Sequence, residues 1–474
     1  MSKTPIVFGT DGWRAIIAED YTFANVRRCA RGIAELFKKK GIADRGVIVG
    51  YDMRFESEDF AAAVAEVLAG SGVRAYLCAR SEPTPVISYA ILDQKAAGGV
   101  TITASHNPAV YNGFKVRSDY GGAAEPETIS ELEGIIAGVD SESVPTLARS
   151  EAEKTGMVVA LNPSDHYVRH LLSLVDLDAI RRARLKIVVD AMYGAGIGWF
   201  PSLLGGGAID VIQINGERNP WFGGINPEPI TRNLGKLFDT VKAVSASVGL
   251  ATDGDADRLG VCDEHGNFID QLRVYSLLAL YLLEVRGLRG PIVKTLSTSS
   301  MLEKLGQLYG VPVYETGVGF KYVAPKMIET EALVGGEESG GYAFRGHIPE
   351  RDGIVAGLFL LDMLVKLDKT PSQLVDYLFS KVGPHDYDRL DVHFNAADRA
   401  AILDRLAHAE PATLGGTSVA RVNRTDGFKF ELTDGSWLLV RFSGTEPIMR
   451  IYSEAESRAK VQELLAAGKA IAGV

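Results

Sequence analysis

The sequence predicts an α/β protein with several domains, and two observations support that prediction. A chain of 474 residues is too long for one hydrophobic core, so three or four domains are expected. Strand patterns alternate with helical patterns over most of the chain, which favours parallel strands joined by right-handed crossovers. From about Ser372 the pattern changes to strands and hairpins with one closing helix. We therefore expect three α/β units, which look like divergent copies of one plan, and a C-terminal α+β unit.

The composition excludes some partners. Hydrophobic residues make up 46% of the chain and charged residues 23%, which is ordinary for a soluble globular protein. The net charge of −10 argues against nucleic acid or an anionic membrane as the main partner. The start of the chain lacks an apolar secretion core, and the most apolar helical runs, 274–285 and 354–365, are shorter than the ~20 residues of a membrane span. The scattered cysteines, Cys29, Cys78 and Cys262, indicate reduced thiols. We expect a cytoplasmic protein.

Each α/β unit shows the same succession of elements. Helices are expected where apolar residues recur at helical spacing, as at Val26, Ile33 and Phe37 after the capping residue Thr22. The predicted helices are 22–39, 57–69, 194–204, 234–246, 272–285 and 299–309. The predicted strands are 47–50, 73–78, 99–104, 185–190, 208–214, 247–252, 291–295, 311–315 and 332–335, with a hairpin at 428–432 and 437–442.

One polar loop follows the apolar run 98–102 and reads TASHNP at 103–108. Pro108 cannot extend a strand's hydrogen-bond ladder, and it moves Asn107 out of helical geometry. Ser105 is therefore expected on a turn at the carboxyl end of a strand, where open α/β sheets bind ligands. The alternative is a serine or asparagine that only caps the next element.

A second loop, DGDADR at 253–258, follows the strand predicted at 247–252. Carboxylates at alternate positions of a tight turn repel one another unless a cation lies between them, so a hard divalent ion is the economical interpretation. An EF-hand is disfavoured because Arg258 stands where that motif needs glycine and because a strand precedes the loop. A solvated acidic turn without metal remains open. Arg258 also favours the approach of a doubly charged phosphate.

Two further loops are candidates for substrate binding. GEESGG at 336–341 combines carboxylates and a serine with glycines, which suits a polyol, although a flexible turn is the alternative. RFSGTEP at 441–447, with Arg450 beyond it, combines arginine, hydroxyls and glycine amides, which suits phosphate. Near the start, FGTDGWR at 8–14 is a glycine-punctuated turn that ends in Arg14.

These loops, in this order, resemble the α-D-phosphohexomutase superfamily over essentially the whole chain. The segment 103–108 is similar to the phosphoserine loop, 253–258 to the magnesium loop, 336–341 to the sugar-specificity loop and 441–447 to the phosphate-binding loop. The resemblance implies three related α/β domains with mixed, largely parallel sheets, plus a C-terminal α+β domain resembling the TATA-binding-protein fold, around a central cleft. Because 145–157 is polar and poorly patterned, a linker is expected near 140–155. The expected domains are 1–145, 155–257, 258–370 and 380–474.

The resemblance also implies residue roles and a mechanism. A phosphorylated Ser105 passes its phosphoryl group to a hexose phosphate, and the resulting hexose 1,6-bisphosphate returns its other phosphoryl group. The implied catalytic residues are Ser105, His106, Lys115, His347, Arg14 and Arg258. Among them, Lys115 and His347 are the candidates for proton transfer to and from sugar hydroxyls, and Arg14 and Arg258 are expected to stabilise the transferring group. The implied Mg²⁺ ligands are Ser105, Asp253, Asp255 and Asp257. The implied substrate-binding residues are Thr316, Gly319, Lys321, Glu337, Ser339, Arg441, Ser443, Gly444, Thr445 and Arg450. Glucose 1,6-bisphosphate is the expected activator and phosphoryl donor, and a monomer or homodimer is expected.

The sugar loop favours glucose as the hexose. Its Glu-Glu-Ser resembles phosphoglucomutases, whereas phosphoglucosamine mutases usually carry Gln at the position of Glu338. Many dual phosphomannomutase/phosphoglucomutase enzymes close this loop with His where this chain has Gly341, and His347 is similar to the later histidine of phosphoglucomutases. We expect interconversion of glucose 1-phosphate and glucose 6-phosphate. The alternatives are a phosphomannomutase or dual enzyme, a phosphoglucosamine mutase, a Mg²⁺-dependent phosphatase that uses Asp253 or Asp255 as nucleophile, and a non-catalytic sugar-phosphate sensor.

Overall fold

A computed structural model describes residues 5–9, 11–442 and 448–474 of the chain. The described chain forms two compact units. The first unit combines Met1–Gln271 with Ser339–Ser372, and the second combines Leu272–Glu338 with Gln373–Val474. Among the helices of the described residues, none combines the length and apolarity that crossing a bilayer requires. Cys29, Cys78 and Cys262 are buried free thiols, as expected.

The first sheet of the first unit has six strands in the order β1-β5-β4-β2-β3-β6. Its middle strands are parallel, whereas β5 runs antiparallel to both of its neighbours. The strands are β1 (Trp13–Ile16), β2 (Val47–Tyr51), β3 (Ala75–Cys78), β4 (Gly98–Ile102), β5 (Tyr111–Arg117) and β6 (Val158–Leu161), and the helices are α1 (Phe23–Lys39), α2 (Ser57–Gly70), α3 (Thr84–Asp93), α4 (Pro126–Gly138) and α5 (Arg149–Lys154).

Helix α1 begins as its sequence predicts. The side chain of Thr22 accepts a hydrogen bond from the backbone N–H of Asn25, and this cap satisfies one of the unpaired donors of the first turn. Val26, Ile33 and Phe37 lie on its buried face. The helix thus packs on the first sheet through the apolar spacing that identified it.

The segment expected to be a linker, 140–155, contains a helix in the structure. Residues Arg149–Lys154 form α5, and Ala152 is buried in the first core. The following strand β6 pairs in parallel with β3, so the first sheet extends past residue 155, where the sequence places the start of the next domain. The sequence signal is weak here because the helix buries a single residue.

The second sheet of the first unit has the order β11-β10-β9-β7-β8. Its strands β7, β8 and β9 are parallel, and β10 and β11 continue the sheet in antiparallel fashion. The elements are α6 (Ser164–Leu174), α7 (Leu177–Arg182), β7 (Lys186–Asp190), α8 (Trp199–Leu204), β8 (Asp210–Ile214), α9 (Gly235–Val244), β9 (Val248–Thr252), β10 (Leu259–Cys262) and β11 (Phe268–Ile269). Helix α8 is shorter than the predicted 194–204 because Gly198 adopts a φ of 80°, which no right-handed helix accommodates.

The second unit begins with a parallel sheet in which β12 lies between β13 and β14. Its elements are α10 (Gln271–Leu280), β12 (Ile292–Thr295), α11 (Met301–Tyr309), β13 (Val313–Thr316), α12 (Phe320–Thr330) and β14 (Val334–Gly336). The predicted helix 272–285 ends in a π-helical turn at Tyr281–Val285. The chain then contributes β15 (Tyr342–Phe344) and α13 (Gly353–Leu367) to the first unit.

The C-terminal part of the second unit is an antiparallel sheet in the order β16-β21-β20-β19-β18-β17, with its own apolar core. Its elements are α14 (Pro371–Val382), β16 (Asp386–His393), α15 (Arg399–Ala407), β17 (Thr413–Leu414), β18 (Thr417–Asn423), β19 (Phe428–Leu432), β20 (Trp437–Phe442), β21 (Ile448–Ala455) and α16 (Arg458–Ala472). The predicted hairpin corresponds to β19 and β20. Three α/β parts with mixed sheets and a C-terminal α+β part are therefore confirmed.

Within the second unit, the buried carboxylate of Glu454 joins the C-terminal sheet to the segment that leads into α11. It accepts hydrogen bonds from Ser299, from the backbone N–H and hydroxyl of Ser300 (both 2.7 Å), and from Trp437 Nε1 (2.9 Å). Burial alone would raise the pKa of this carboxyl. The charge of His385 and the hydrogen bonds from the two serines instead hold the pKa below its ordinary value of 4.5. The ionised form therefore stabilises the folded unit.

We expect Glu454→Gln to lower the melting temperature at pH 7 by ~2–4 °C, because losing charged hydrogen bonds costs about 2 kcal/mol. A depressed folded-state pKa contributes stability above the unfolded value, and that stability is lost as the pH falls through the folded value. The deficit of the variant should therefore shrink in melting curves below about pH 4.5. Glu431→Gln, which removes a partly exposed partner of Arg421, is the control. A deficit that stayed constant down to pH 3 would contradict this role of Glu454.

Candidate active site

Ser105 lies just beyond the end of β4, in a backbone conformation that needs support. Its φ is 51°, which is uncommon for a residue with a side chain. The backbone N–H of Ser105 donates to Thr103 Oγ1 (2.8 Å), and Thr103 Oγ1 in turn donates to Asp52 Oδ2 (2.5 Å). The buried guanidinium of Arg54 donates to carbonyl oxygens of the same loop, those of Ser105, Asn107, Pro108 and Tyr111. The loop is therefore held by its backbone, which leaves the serine hydroxyl available.

The acidic loop 253–258 follows β9 and meets the serine loop directly. Asp253, Asp255 and Asp257 are buried, and each offers a carboxylate oxygen within 4.8 Å of the other two. Ser105 Oγ donates a hydrogen bond to Asp253 Oδ2 at 2.9 Å. A Cβ atom at Gly254 would lie 2.3 Å from the carbonyl oxygen of Ser105, so only glycine allows this approach. The structure thus brings the predicted nucleophile and the predicted metal ligands together.

Basic side chains surround these carboxylates. Lys115 Nζ lies 2.9 Å from Asp255 Oδ2, 3.6 Å from Asp257 Oδ2 and 2.8 Å from Asp11 Oδ2. Arg351 Nη2 lies 2.8 Å from both Asp11 Oδ2 and Asp257 Oδ2. These two cations therefore compensate the negative charge of Asp11, Asp255 and Asp257.

Three further predicted groups of the first unit lie beside these loops, Arg14 on β1, His106 on the serine loop and Arg258 on the acidic loop. Arg258 Nε is 3.9 Å from Asp253 Oδ2. Arg14 Nη1 donates to Asn107 Oδ1 at 2.6 Å, and His106 Nδ1 lies 3.4 Å from Ser105 Oγ. Arg14, His106 and Arg258 are thus placed beside the serine and the acidic loop, on segments far apart in sequence.

The burial of these charges shifts their titration. Burial, together with Asp257 and Asp255, raises the pKa of Asp253 well above its ordinary value. Burial also acts to raise the pKa of Asp255, but Lys115 brings that pKa below its ordinary value. Burial would lower the pKa of Lys115, whereas Asp11, Asp255 and Asp257 raise it, so Lys115 is a charged ammonium.

His106 is affected in the opposite sense. Burial is the largest cause, and the positive charges of Arg258 and Arg14 add to it, so the pKa of His106 is well below 6.5. Its imidazole is therefore neutral at pH 7, next to the serine hydroxyl.

The donor set of the acidic loop fits a hard divalent cation. Oδ1 of Asp255 and Oδ1 of Asp257 are buried and accept no hydrogen bond from any residue that the structure describes. Buried carboxylate oxygens normally have a partner, and oxygen ligands are those that Mg²⁺ prefers. Asp253, Asp255 and Asp257, together with an oxygen on Ser105, would hold such an ion.

Comparison with known proteins agrees with this geometry. The chain matches the models of phosphoglucomutase/phosphomannomutase alpha/beta/alpha domain I at residues 5–143, domain II at 165–266 and domain III at 271–382. It matches the phosphoglucomutase/phosphomannomutase C-terminal domain at 395–468. The chain belongs to the phosphoglucomutase/phosphomannomutase family. It is therefore a phosphohexomutase of the α-D-phosphohexomutase superfamily, as the four loops predicted.

Individual members of this family differ in the activities that their names state. The chain is 34% identical to a phosphoglucomutase/phosphomannomutase of Thermococcus kodakarensis, over 98% of this chain and 97% of that protein. It is 32% identical to a probable phosphoglucosamine mutase of Methanothermobacter thermautotrophicus, over 97% and 96%. A solved structure from Thermus thermophilus, named a "putative phosphomannomutase", has a TM-score of 0.85 and 34% identity, with each chain fully covered. These names leave the hexose open.

His347 lies in a different environment from the other catalytic candidates. Its Nε2 is 2.8 Å from Asp352 Oδ2, and its Nδ1 is 3.0 Å from His170 Nε2. Asp352 caps α13 by accepting from the N–H groups of Ile354 and Val355. The side chain of His347 is fully buried. Both ring nitrogens are thus engaged inside the protein, and the histidine braces the start of α13.

The other predicted substrate-binding residues, apart from Ser339, belong to the second unit or lie outside the described residues. Arg441 Nε is 3.0 Å from Asp426 Oδ1, and Arg450 Nε is 3.8 Å from Asp391 Oδ1. Thr316 ends β13, Gly319 precedes α12 with Lys321 in its first turn, and Glu337 follows β14. Ser339, in the first unit, has a buried hydroxyl that no described residue hydrogen-bonds. Ser443, Gly444 and Thr445 lie outside the described residues.

Several residues of the site had not been identified as such from the sequence. Arg54 and Asp52 follow β2, so the rule that selected Ser105, the carboxyl end of a strand, could have found them. Thr84 Oγ1 donates to Asp255 Oδ2 at 2.6 Å, but a threonine after a proline gives no such signal. Asp11 and Arg351 are separated by most of the chain, and only the fold brings them together.

We expect Mg²⁺ to raise the melting temperature of the chain, because an ion that binds only the folded state stabilises it. At one hundred times its dissociation constant the gain is ~2.7 kcal/mol, or roughly 5 °C. Asp255→Asn should abolish the shift measured by scanning calorimetry. The control is Asp190→Asn. Asp190 is another buried carboxylate of the same unit, at the end of β7, and it accepts hydrogen bonds from the Met192 N–H and from Asn215. Asp190→Asn should have a lower melting temperature than the wild-type chain, but Mg²⁺ should raise that temperature as much as it does in the wild type. An equal shift in Asp255→Asn would rule out the triad as the site.

Proposed function

We propose that this phosphohexomutase interconverts glucose 1-phosphate and glucose 6-phosphate through a phosphorylated Ser105 and glucose 1,6-bisphosphate. The observation that carries the proposal is the 2.9 Å hydrogen bond from Ser105 Oγ to Asp253 Oδ2 at the edge of the buried triad. A serine hydroxyl beside three carboxylates and several cations suits phosphoryl transfer, because that reaction needs positioning and charge compensation more than covalent chemistry. Glucose 1,6-bisphosphate is the proposed activator that phosphorylates the serine.

The proposed transfer is balanced. The bond between phosphorus and Ser105 Oγ breaks, a bond forms to the free hydroxyl of the hexose phosphate, and the proton of that hydroxyl leaves. The neutral imidazole of His106 is the group beside Ser105 that is able to accept a proton. Lys115, whose ammonium contacts Asp255 at 2.9 Å beside the serine loop, is the proposed donor to the serine oxygen. The second half-reaction reverses the roles of serine and sugar.

The other residues of the first unit serve to stabilise charge. Arg14 and Arg258 would neutralise the phosphoryl oxygens during transfer. When Mg²⁺ is bound by Asp253, Asp255 and Asp257, it supplies Lewis-acid stabilisation of the serine oxygen as a leaving group. His347 would act through the placement of α13, because both of its ring nitrogens are engaged.

Substrate recognition is proposed to lie with the second unit and Ser339. Glu337 and Ser339 would accept and donate hydrogen bonds to the vicinal sugar hydroxyls. The phosphate that does not react would be bound by two arginines and by residues of two loops. These are Arg441 and Arg450, then Thr316, Gly319 and Lys321, and Ser443, Gly444 and Thr445. Recognition of hydroxyls by buried polar groups gives strong selection among sugars.

Glucosamine phosphates are the second candidate substrates, because the Methanothermobacter relative is named a probable phosphoglucosamine mutase. Glu338 favours glucose over this alternative, since the loop resembles that of phosphoglucomutases, whereas phosphoglucosamine mutases usually have Gln at this position. Mannose phosphates remain proposed alternative or additional substrates, in line with the family name.

We expect Ser105→Ala to lower turnover by more than ~10³-fold, because the phosphoryl acceptor is lost. Intact-mass spectrometry should find one phosphoryl group on the wild-type chain after incubation with glucose 1,6-bisphosphate and none on the variant. Ser88→Ala, which removes another buried serine hydroxyl of the first unit, should behave as wild type in both assays. A Ser105→Ala protein with normal turnover would refute the phosphoserine mechanism and favour the phosphatase or another nucleophile.

We expect glucose 1-phosphate to give the highest kcat/KM among glucose 1-phosphate, mannose 1-phosphate, glucosamine 1-phosphate and ribose 1-phosphate. The rates are measured side by side, with each sugar's bisphosphate added as activator. A higher value for glucosamine 1-phosphate would establish the second candidate instead. Binding of all four sugars without conversion of any would identify a sensor.

A further inference from the structure

The second unit contains a charged network that starts at the sugar loop. The side chain of Glu338 is largely buried, and its Oε1 accepts hydrogen bonds from Tyr387 OH (2.8 Å) and Arg389 Nη1 (3.2 Å). Tyr387 and Arg389 stand two residues apart on β16, so they share one face of the C-terminal sheet. The second carboxylate of the Glu-Glu-Ser sequence is therefore bound by the C-terminal sheet.

The network continues from Arg389 to a phosphate-binding candidate. Arg389 Nε lies 3.1 Å from Asp391 Oδ1, and the same oxygen lies 3.8 Å from Arg450 Nε. Asp391 is directly opposite Arg450 in the pairing of β16 with β21. Glu338, Arg389, Asp391 and Arg450 thus alternate in charge, and each contacts the next.

Arg450 is held incompletely by this arrangement. Its Nε is buried and donates no hydrogen bond to any residue in 5–9, 11–442 or 448–474. At 3.8 Å, Asp391 compensates its charge without bonding it fully, which leaves the guanidinium able to bind an anion. Arg389 holds Asp391 in place, and Asp391 in turn positions the guanidinium of Arg450. A change that loosens Arg389 therefore leaves Arg450 less well placed to bind an anion.

Arg441, the other arginine proposed to bind phosphate, is also held by a carboxylate. Arg441 Nε lies 3.0 Å from Asp426 Oδ1, and Asp426 Oδ2 accepts the backbone N–H of Val318 at 2.8 Å. Arg441 and Arg450 face each other across β20 and β21. Arg441 is therefore joined to a loop of the α/β part of the same unit through Asp426 alone, and Arg450 through Asp391, Arg389 and Glu338.

Arg389 stays positively charged in this network. Burial acts to lower its pKa, but Glu338, Tyr387, Tyr452 and Asp391 raise the pKa further, so Arg389 stays protonated. Burial and Glu338 also raise the pKa of Tyr452, which packs against Arg389, to about 12. Arg389 is thus a permanent cation shared between two carboxylates.

We propose that Arg389 is a positioning residue that couples the sugar loop, through Glu338, to the phosphate-binding residue Arg450, through Asp391. The proposal rests on the proposed function for the role of Arg450. Its consequence is that hexose recognition and phosphate binding are cooperative. A change at Glu338, which touches no phosphate, should alter the affinity for phosphate.

The test is a double-mutant cycle on Glu338→Gln and Arg450→Ala. Glutamine keeps an oxygen for Tyr387 but removes the charge that attracts Arg389. The readouts are the KM for the best hexose phosphate of the panel, with kcat recorded separately, and the dissociation constant of inorganic phosphate by calorimetry. We expect each constant to rise ~3-fold in Glu338→Gln and ~10-fold in Arg450→Ala. In the double variant both should rise about 10-fold, because the coupled residue is already gone.

If the two constants instead rose ~30-fold in the double variant, the single effects would simply multiply, and the proposal would be overturned. Arg389→Lys is the conservative variant, and since lysine cannot bridge two carboxylates as a guanidinium does, it should reproduce the Glu338→Gln effect. Wild-type phosphate affinity in Arg389→Lys would also overturn the coupling. The matched control is Arg458→Ala. It removes the exposed ion pair between Arg458 and Asp388, which lies on β16 like Arg389, and it should leave both constants unchanged.

The two proposals fail in different ways. If the wild-type chain converted no hexose phosphate, the proposed function would be refuted, while the phosphate titration would still measure the coupling. If the wild-type chain did not bind inorganic phosphate, or if Arg450→Ala did not weaken that binding, the coupling would be refuted while turnover could stand.

Discussion

The first unit depends on the compensation of buried negative charge. Asp11, Asp255 and Asp257 lie within 3.6 Å of one ammonium, that of Lys115. A buried carboxylate without a partner costs several kcal/mol, so these groups are stable only while their elements remain assembled. Lys115 comes from β5, Asp255 and Asp257 from the loop after β9, and Asp11 from the start of the chain. The charge cluster therefore fixes the relative positions of the two sheets of the first unit.

This constraint explains the backbone around it. Arg54 satisfies the carbonyl groups of the serine loop, and in doing so holds Ser105 at a φ that the residue alone would not favour. Gly254 allows the acidic loop to touch that serine, and Gly353 allows α13 to begin against Arg258, whose carbonyl oxygen would lie 2.4 Å from an added Cβ. The loops are preorganised by backbone contacts, so the side chains remain available for chemistry.

The sequence predicted the parts of this arrangement that depend on local pattern. Ser105 was found because parallel strands present their carboxyl ends at one edge, a rule that needs only the order of strands. The loop of Asp253 was found because it places carboxylates at alternate positions of a tight turn. Arg351 could not be found, since its partner Asp11 lies at the other end of the first unit's sequence and no spacing connects them. His347 was recognised by similarity, but its contacts with His170 and Asp352 follow from packing alone. The helix α5 was missed because its buried face is one residue wide.

In both units, basic side chains lie where phosphate is proposed to bind, and each of them also contacts a carboxylate. Lys115 has Asp11 and Asp255, Arg441 has Asp426, and Arg450 has Asp391. Unpaired cations would bind phosphate more tightly, but they would repel one another in the free protein and would bind substrate and product alike, which does not accelerate the chemical step. Partial neutralisation by neighbouring carboxylates lowers the affinity for every phosphate equally, and it therefore favours turnover over retention.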